Sequence, residues 1–431
     1  MNTQYDVIVI GAGNAGLSAA VTTAKHGLKT LVLEQHNLPG GSATSFRRGR
    51  FEFEPSLHEL AEIGSPENPG TVRKLLESYG VEVDWRLEDT LFRAIAKGPE
   101  GYDVTMPADA KAYCDEMERQ VPGSRNSVEA VLELANKALA ALDYLTETKG
   151  NPDPKVMATE HADFMRIASH SLQEVLDTLG MPKKAQYIFC TQWGYLGATP
   201  DQIDFLHYVL MLDSYLKLKP AMPYMRSHEI SLALVKALRD NGGEIWYNCK
   251  AENIIVENGR ACGVVVRGRE IRAKHVISNW FPDFALANLK GGAVPERTLK
   301  LINARKHGRT YVTMYLGLNR SAEELGIKDY STFIMPSPDP KEQWKASFTG
   351  NRTVVVNCLN TVIPDSSPEG TCTLFFTAGF PPETWVNVKP EDYKKKKNEI
   401  AEKMITLYEE TLGITIKPYI EEIAVATPIT F

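Results

Sequence analysis

The sequence lacks the features that direct a chain into a membrane, into a secretory pathway or onto nucleic acid. No apolar run approaches the ~20 residues that a membrane-spanning helix needs. The N-terminus enters a strand-like run almost at once and has no charged segment before a long apolar core, so we expect no signal peptide. Lysine and arginine number 48 against 54 acidic residues, a net charge of −6, which excludes a global basic field for nucleic acid. We therefore expect a cytoplasmic protein.

Cysteine is scarce, and metal-binding spacings are missing. The sequence has no Cys-x-x-Cys, His-x-x-x-His or Glu-x-x-His pair and no nucleophile elbow. Reduced, mostly buried thiols are therefore expected rather than disulfides or a metal site. The six cysteines are Cys114, Cys190, Cys249, Cys262, Cys358 and Cys372.

The most informative stretch is the N-terminal one. Residues 5–10 form an apolar, β-branched run that is typical of a buried parallel strand. A G-x-G-x-x-G segment follows at once, and residues 17–25 continue it as a helix; the segment reads Gly11-Ala12-Gly13-Asn14-Ala15-Gly16. A second strand over 30–33 ends at Glu34, about 20 residues past the glycines. Strand, glycines, helix, strand and acid in this order predict a dinucleotide site.

Each part of this motif has a physical role. Gly11 allows the tight turn, Gly13 lets the backbone approach a pyrophosphate, and Gly16 lets helix and strand pack closely. The helix N-terminus presents free N–H groups and partial positive charge to the phosphates. Glu34 is placed to accept hydrogen bonds from the adenosine ribose. A 2′-phosphate against that carboxylate would cost about 4 kcal/mol at an effective dielectric of ~20, so the motif disfavours NADP.

A second glycine pair favours FAD over NAD. Gly40-Gly41 and Ser42 stand just beyond the acid, where an NAD dehydrogenase needs nothing special. Because a glycine pair lets backbone come close to an extended ligand that runs deeper into the protein, we expect these residues near the pyrophosphate or the ring of FAD.

These motifs resemble the FAD-dependent phytoene desaturase, carotenoid isomerase and retinol saturase group, distant relatives of the flavin amine oxidases. The chain follows the family's opening D-x-x-V-I-G-x-G-x-x-G-L-x-x-A from Asp6 onward. Residues 49–58 are similar to its G-x-x-F-D-x-G-x-H segment, with Glu54 and Ser56 in place of Asp and Gly. The final His58 looks most like the retinol saturase branch.

A later stretch, residues 223–279, follows the same family's order of helix, glycine pair, strands and a closing Val-Ile-Ser-Asn. Met225 and Arg226 stand where the family has Gly-Gly, and Ala251 stands where it has Val. A glycine pair there usually lets backbone approach flavin or substrate, so an arginine either moves the loop or puts a cation beside the ligand. The resemblance places Ala251 at the cofactor.

The resemblance implies an α/β fold: a doubly wound, Rossmann-like FAD-binding domain with an interleaved substrate domain of mixed sheet plus helical cap. The FAD domain would comprise residues 1–80 and return at 276–310. The substrate domain would comprise 81–275, with the cap at about 109–215 and a 226–275 segment that partly rejoins the FAD domain, and then 311–431. In the family several dozen residues follow a segment like 426–431, so we expect a truncated chain that ends before the last FAD segment.

Three residues are candidates for chemistry. His58 would lie near the flavin ring, where it either shuttles a proton or polarises a substrate oxygen, or else is a hydrogen-bonded histidine beneath the flavin loop. Tyr224 and Arg226 would either clamp a polar head group such as a carboxylate or lie in a surface loop before the next helix. The apolar stretch 205–216 would be the core of the cap, or the lining of a tunnel for a long apolar substrate.

The expected function is that of an FAD-dependent oxidoreductase in which flavin N5 exchanges a hydride with a carbon of a lipophilic, unsaturated substrate. Desaturation and saturation both stay open, as do the electron partner and the oligomeric state. The alternatives are a non-redox, FAD-dependent double-bond isomerase and a protein that binds FAD without turnover. Because the cap often faces a membrane in the resembling family, peripheral membrane contact through it is a further expectation.

Overall fold

The computed structural model describes residues 4–55, 57–305, 308–350 and 352–430, without the side chain of Thr349; Ser56 and Phe431 lie outside the described residues. The strands are β1 Gln4–Ile10, β2 Thr30–Leu33, β3 Phe46–Arg48, β4 Phe51–Phe53, β5 Trp85–Leu87, β6 Thr90–Ala96, β7 Tyr102–Pro107, β8 Ala221–Pro223, β9 Glu244–Trp246, β10 Ala251–Glu257, β11 Arg260–Val266, β12 Arg269–Ser278, β13 Leu289–Lys290, β14 Thr310–Leu318, β15 Ser331–Met335, β16 Val354–Cys358, β17 Cys372–Phe380 and β18 Ile420–Ala426. The α-helices are α1 Asn14–Lys25, α2 Thr71–Ser78, α3 Ala110–Gln120, α4 Arg125–Glu147, α5 Pro154–Thr159, α6 Ala162–Ile167, α7 Leu172–Thr178, α8 Lys183–Phe189, α9 Trp193–Leu196, α10 Phe205–Leu218, α11 Ser227–Asp240, α12 Pro282–Ala287, α13 Glu296–Asn303, α14 Pro340–Thr349, α15 Glu383–Val386 and α16 Pro390–Leu412.

The first sheet carries the N-terminal motif at its centre. Its strand order is β13-β10-β11-β12-β1-β2-β9, and β12, β1, β2 and β9 run parallel to one another. Side chains alternate along β1: Val7 and Val9 pack with α1 and α11, whereas Ile8 and Ile10 pack into a separate core on the opposite face. Burial on both faces explains why β1 and β2 are nearly continuous apolar runs. The structure has the predicted α/β class.

The second sheet has the order β18-β14-β17-β16-β15-β6-β7, antiparallel throughout except where β15 lies parallel to β6. One of its faces packs on α16, with Met314 and Phe376 of the sheet in the same buried cluster as Met404 and Tyr408 of the helix. The opposite face is not covered by α16, so it can contribute to a binding site.

A group of helices covers the second sheet. Helices α3–α10 lie between Ala110 and Leu218, in the region where the cap was expected at about 109–215. The aromatic stretch 205–216 belongs to α10, and its Phe205 and Tyr208 are fully buried in one cluster with helices α3, α4, α7 and α8. This burial agrees with the interpretation as the core of a cap, and the cap itself stays a prediction. No helix within the described ranges is long and apolar enough to cross a bilayer. The domain boundaries stay a prediction.

Glu54 joins the strand after the glycine-rich region to helix α11. Its carboxylate accepts hydrogen bonds from Leu57 N, Ser227 N and Ser227 Oγ at 3.0, 2.8 and 2.8 Å, and the residue is 3% exposed. One acid thus orders the turn before His58 and caps the N-terminus of α11. These contacts give Glu54, which replaces the family's Asp, a structural place in the turn.

Glu54→Ala should lower the free energy of unfolding by about 1–3 kcal/mol, because it leaves three donors without their acceptor in a buried site. Urea unfolding followed by circular dichroism measures this change. Glu82→Ala, at an exposed glutamate on the same protein, is the control and should stay within ~0.5 kcal/mol of wild type. Equal effects of the two substitutions would contradict the capping role.

Candidate functional site

A cavity of about 780 Å³ lies between the free face of the second sheet and the helical cap. This volume falls in the ~300–1,000 Å³ range of small-molecule sites. The cap contributes Trp193, Tyr195 and Tyr215, and the segment before it contributes His58 and Glu59. Ser42 also lines it, so the cavity reaches the residue that follows the Gly40-Gly41 pair.

Strand register builds the floor of this cavity. Thr313, Thr377, Val355 and Phe333 stand side by side on β14, β17, β16 and β15, and all four line the cavity. Since side chains two residues apart share a face, the neighbouring pair of Tyr311 and Gly379 lies on the same floor. The floor is a mixture of apolar and hydroxyl side chains from four different strands.

His58 lines this cavity, and its place beside a reacting centre stays a prediction. Its ring stands edge-on to Phe375 at 5.4 Å between centroids, and the hydroxyls of Tyr315 and Tyr330 hold the backbone around it by donating to Pro55 O and His58 O. Burial lowers the pKa of His58 to about 4, opposed by the neighbouring Asn357 amide. The imidazole is therefore neutral at neutral pH and does not serve as a cationic acid.

A buried carboxyl pair lies next to His58. Leu60 bonds to Ala221 through both backbone groups, and Ala221 also pairs with Leu87, so the adjoining Glu59 and Glu88 are brought together. Glu59 accepts a hydrogen bond from Tyr195 Oη at 2.8 Å. Burial raises the pKa of Glu59 to about 7, and burial together with the charge of Glu59 raises the pKa of Glu88 well above its ordinary value.

Sequence reasoning missed this pair as a functional feature. Glu59 stands beside His58 in the chain, but no local pattern connects it to Glu88. The two meet only through the bridge at Ala221, which no sequence motif announces. Like charges at close range do not both ionise readily, so the pair holds a proton near neutral pH.

The glycine motif has the geometry that a dinucleotide needs. Gly11 has φ +93°, and a Cβ added at Gly16 would stand 2.1 Å from Gly11 O, so both positions require glycine. A Cβ at Gly13 would meet only the end of the exposed Asn279 side chain, at 2.9 Å. The first N–H groups of α1, from Asn14 and Ala15 onward, have no acceptor within the helix. The N-terminus of α1, the tight turn at Gly11 and the backbone without a side chain at Gly13 therefore fit a pyrophosphate.

Glu34 lies at the carboxyl end of β2, beside this turn. Its oxygens accept hydrogen bonds from Ala12 N at 2.7 Å and His36 N at 2.8 Å, and the residue is 7% exposed. A carboxylate offers about four lone-pair positions, so capacity remains for ribose hydroxyls. These contacts fit the expected nucleotide site.

The second glycine pair packs directly on the first. Gly40 N donates to Ala12 O at 2.8 Å, and Gly40 pairs with Gly13. A second cavity of about 660 Å³ is lined by Gly41 and Ser42, and Ser42 lines the larger cavity as well. Ser42 thus lies between a cavity beside the second glycine pair and the cavity on the floor of the second sheet.

Tyr224 and Arg226 are not brought to the cavity that holds His58. The Tyr224 hydroxyl donates to Asp365, and Arg226 donates to Ser366 O and lies 3.7 Å from Glu52. Both side chains are held by protein groups outside the described lining of the cavity, so the predicted head-group clamp is not found at this place. The reason is that the loop turns these residues toward the 365–366 segment.

The backbone at Arg226 still has the conformation of a glycine. Its φ of 65° with ψ of −178° lies in a region that is almost restricted to glycine. The loop therefore has a backbone shape that glycine adopts readily and that costs about 1–3 kcal/mol with arginine. The contacts of the Arg226 side chain offset this strain.

Ala251 begins β10 and is buried in the core on the face of the first sheet that carries Ile8 and Ile10. Two residues earlier, Cys249 N donates to Glu34 O at 2.7 Å. The segment before Ala251 therefore lies beside the acid of the nucleotide motif. A cofactor contact of Ala251 stays a prediction.

Comparison with known proteins agrees with this geometry. Residues 9–72 match a family model described as an NAD(P)-binding Rossmann-like domain. An all-trans-retinol 13,14-reductase from Danio rerio is 26% identical over 99% of this chain and 75% of that protein. A chloroplastic prolycopene isomerase from Daucus carota is 24% identical over 99% of this chain and 70% of that protein. A 4,4'-diapophytoene desaturase (4,4'-diapolycopene-forming) from Methylomonas sp is 24% identical over 100% of this chain and 83% of that protein.

The chain covers a smaller share of other relatives. It spans 45% of the human all-trans-retinol 13,14-reductase and 56% of the one from Rattus norvegicus. Among solved structures, an oxidoreductase from Methanosarcina mazei has a TM-score of 0.67 at 17% identity, over 98% of this chain and 88% of that one. Putrescine oxidase bound to putrescine has a TM-score of 0.57 at 17% identity, over 91% and 79%. These two likenesses concern the fold.

The fold, the glycine motif and the relatives define the class of this protein, an oxidoreductase built on a Rossmann-type nucleotide domain. Within that class, the resemblance to the phytoene desaturase, carotenoid isomerase and retinol saturase group is confirmed along the whole chain.

Protonation of Glu59 should make stability depend on pH. Because the pKa of Glu59 is raised to about 7 in the folded protein, the neutral carboxyl stabilises the fold fully below its ordinary value of 4.5, and this contribution is lost as pH rises through 7. The free energy of unfolding of Glu59→Gln, measured relative to that of wild type, should therefore increase as the pH rises from 5 to 8. Urea unfolding at several pH values measures the difference.

The exposed Glu147→Gln is the control and should show no such trend. A stability difference between Glu59→Gln and wild type that stays constant from pH 5 to 8 would show that Glu59 titrates as an ordinary carboxyl.

Proposed function

We propose that this protein is an FAD-dependent oxidoreductase that acts on carbon–carbon bonds of a lipophilic, unsaturated small molecule. The observation that carries the proposal is the cavity of about 780 Å³, which adjoins the second glycine pair through Ser42 and has aromatic walls. A site for a long apolar molecule next to a nucleotide motif suits hydride exchange with a flavin. Relatives named retinol reductase and diapophytoene desaturase support a polyene-like substrate.

FAD would be held along the path of the two glycine segments. Gly11, Gly13 and Gly16 with the N-terminus of α1 would hold the pyrophosphate, and Glu34 the adenosine ribose. Gly40, Gly41 and Ser42 would guide the remainder toward the cavity. When bound, FAD supplies the atom that accepts or donates hydride. The aromatic side chains of the lining would limit the access of water to the reacting carbon.

Glu59 is the side chain that we assign to proton transfer. Adding or removing hydrogen across a carbon–carbon bond moves a proton together with a hydride, so the site needs a group that is half protonated near neutral pH. Glu59 lines the cavity with a pKa of about 7, whereas the pKa of His58, lowered to about 4, leaves that ring neutral. His58 would instead orient the substrate by packing and hydrogen bonding.

An isomerase is the second candidate, favoured by the prolycopene isomerase that matches 99% of this chain. The two candidates differ in electron balance, because an isomerase turns over without consuming a donor or an acceptor. Anaerobic incubation with a polyene, with flavin absorbance and product mass measured together, separates them. A product shifted by two mass units with bleaching or reoxidation of flavin supports the oxidoreductase, and a product of unchanged mass supports the isomerase.

The purified protein should show flavin absorbance bands, and Gly13→Val should remove them. The Cβ of the new side chain would meet only the movable end of Asn279, and the side chain would occupy the space of the pyrophosphate. Circular dichroism of the variant reports on its fold. The measurement is the ratio of flavin to protein absorbance after addition of FAD and gel filtration.

Gly308→Ala is the control, since a Cβ there meets no atom of the described residues within 4 Å. It should bind FAD like wild type. A Gly13→Val protein that keeps a full complement of flavin would refute the assignment of this turn to the pyrophosphate.

A further inference from the structure

In the part of the chain that the structure describes, one arginine lines the cavity and has no acidic partner. Arg309 precedes β14 and lines the cavity, and its guanidinium lies between two indoles, 4.3 Å from the ring centre of Trp193 and 4.4 Å from that of Trp344. Its Nε and Nη2 are buried and have no hydrogen-bond partner among the described residues. Cation–π contacts hold the planar group in place but satisfy none of its N–H donors.

The surroundings of Arg309 are built to hold it in that position. Gly379 lies beneath it on β17, and a Cβ there would stand 3.1 Å from Arg309 Cδ and 3.2 Å from Nη1. Glycine thus makes room for the arginine on the cavity floor. Trp193 is itself fixed, because its Nε1 donates to Gln343 Oε1 at 3.0 Å.

The charge of Arg309 is not neutralised within the described part of the chain. No ion pair joins it to a carboxylate there, and Glu59, the acid of the cavity lining, bonds to Tyr195 instead. Burial lowers the pKa of Arg309 to about 10, which still leaves it charged at neutral pH. A half-buried cation with unpaired donors is costly unless a ligand supplies the anion.

We propose that Arg309 binds the carboxylate of the substrate, so that the substrate is a lipophilic, unsaturated acid. The arginine fork matches a carboxylate with two parallel hydrogen bonds. Among the described residues that line the cavity, Arg309 is the cation, His58 is neutral and Glu59 can add only negative charge, so at most one negative charge of a ligand is matched and the two charges of a phosphate monoester are not. The inference rests on the proposed function, which places the substrate in this cavity. It assigns the binding of the head group to Arg309, whereas the sequence analysis expected it at Arg226.

The test is direct binding of three matched probes, retinoic acid, retinol and retinyl phosphate, to the FAD-loaded protein at pH 7.5. Quenching of tryptophan fluorescence reports binding, since Trp193 and Trp344 flank the group in question. Wild type should bind retinoic acid roughly 10- to 100-fold more tightly than retinol, the range that a charged hydrogen-bond pair supplies.

Arg309→Met keeps an unbranched side chain between the indoles but removes the charge. It should bring the acid-to-alcohol preference to about one and leave retinol binding within about twofold. Gly379→Ala should reduce the preference without removing the charge, because the added methyl group displaces the guanidinium.

Arg352→Met is the matched control. Arg352 is also a partly buried arginine on an aromatic ring, 3.9 Å from the centre of Phe380, but it lies in a separate surface groove. This variant should keep the full preference for the acid, and circular dichroism of each variant reports on its fold.

Three results would overturn the proposal: equal binding of acid and alcohol by wild type, a preference for the acid that survives in Arg309→Met, or tightest binding of retinyl phosphate. Absence of binding of all three probes would overturn it as well. Failure of the proposed function is a separate result, because it appears as a protein that takes up no FAD or that leaves every polyene unchanged, whatever the binding preference.

Discussion

The parallel pairing of β1 with β2 and β12 is the constraint on which the nucleotide half of this structure depends. Ile10 lies level with Leu33 on one side and Ser278 on the other, so the residues that follow each strand emerge at one edge of the sheet. Those residues are Gly11, Glu34 and Asn279. Gly11 N donates to Leu33 O and Asn279 N to Ile10 O, which fixes their relative heights. Three segments of distant sequence thereby surround one helix N-terminus, as ligand sites at the carboxyl ends of parallel strands require.

The substrate half depends on a different kind of constraint, the balance between burial and charge. The cavity walls remove water from His58, Glu59 and Arg309 alike, but the consequences differ with the sign of each charge. Burial lowers the pKa of His58 and raises that of Glu59, so both groups tend to neutrality, whereas the guanidinium stays charged. The result is a neutral hydrogen-bonding ring, a carboxyl that titrates near neutral pH, and a fixed cation.

The nucleotide motif could be predicted because its parts lie close together in the sequence and each has a backbone reason. The cap could be predicted from helical periodicity, and α10 is its core. The carboxyl pair and the arginine between two indoles could not, because their members meet only through the bridge at Ala221 and the packing of the cap on the second sheet. The conformation of Arg226 could not be predicted for another reason. A positive φ is indicated in a sequence by glycine, and here the residue is an arginine.

This division between the halves has a consequence for chemistry. Relatives named as a reductase, an isomerase and a desaturase all match nearly the whole chain, so the shared pattern does not by itself determine the reaction. The residues of the nucleotide motif lie close together in the sequence. A substitution in the cavity wall therefore leaves the motif unchanged. The cavity walls come from α9, β14–β17 and the turn around His58, none of which belongs to the strand, turn and helix of the nucleotide motif. If the substrate binds in this cavity as proposed, single residues on its floor and cap decide specificity, and Arg309, which has no acidic partner among the described residues, imposes the strongest demand on a ligand.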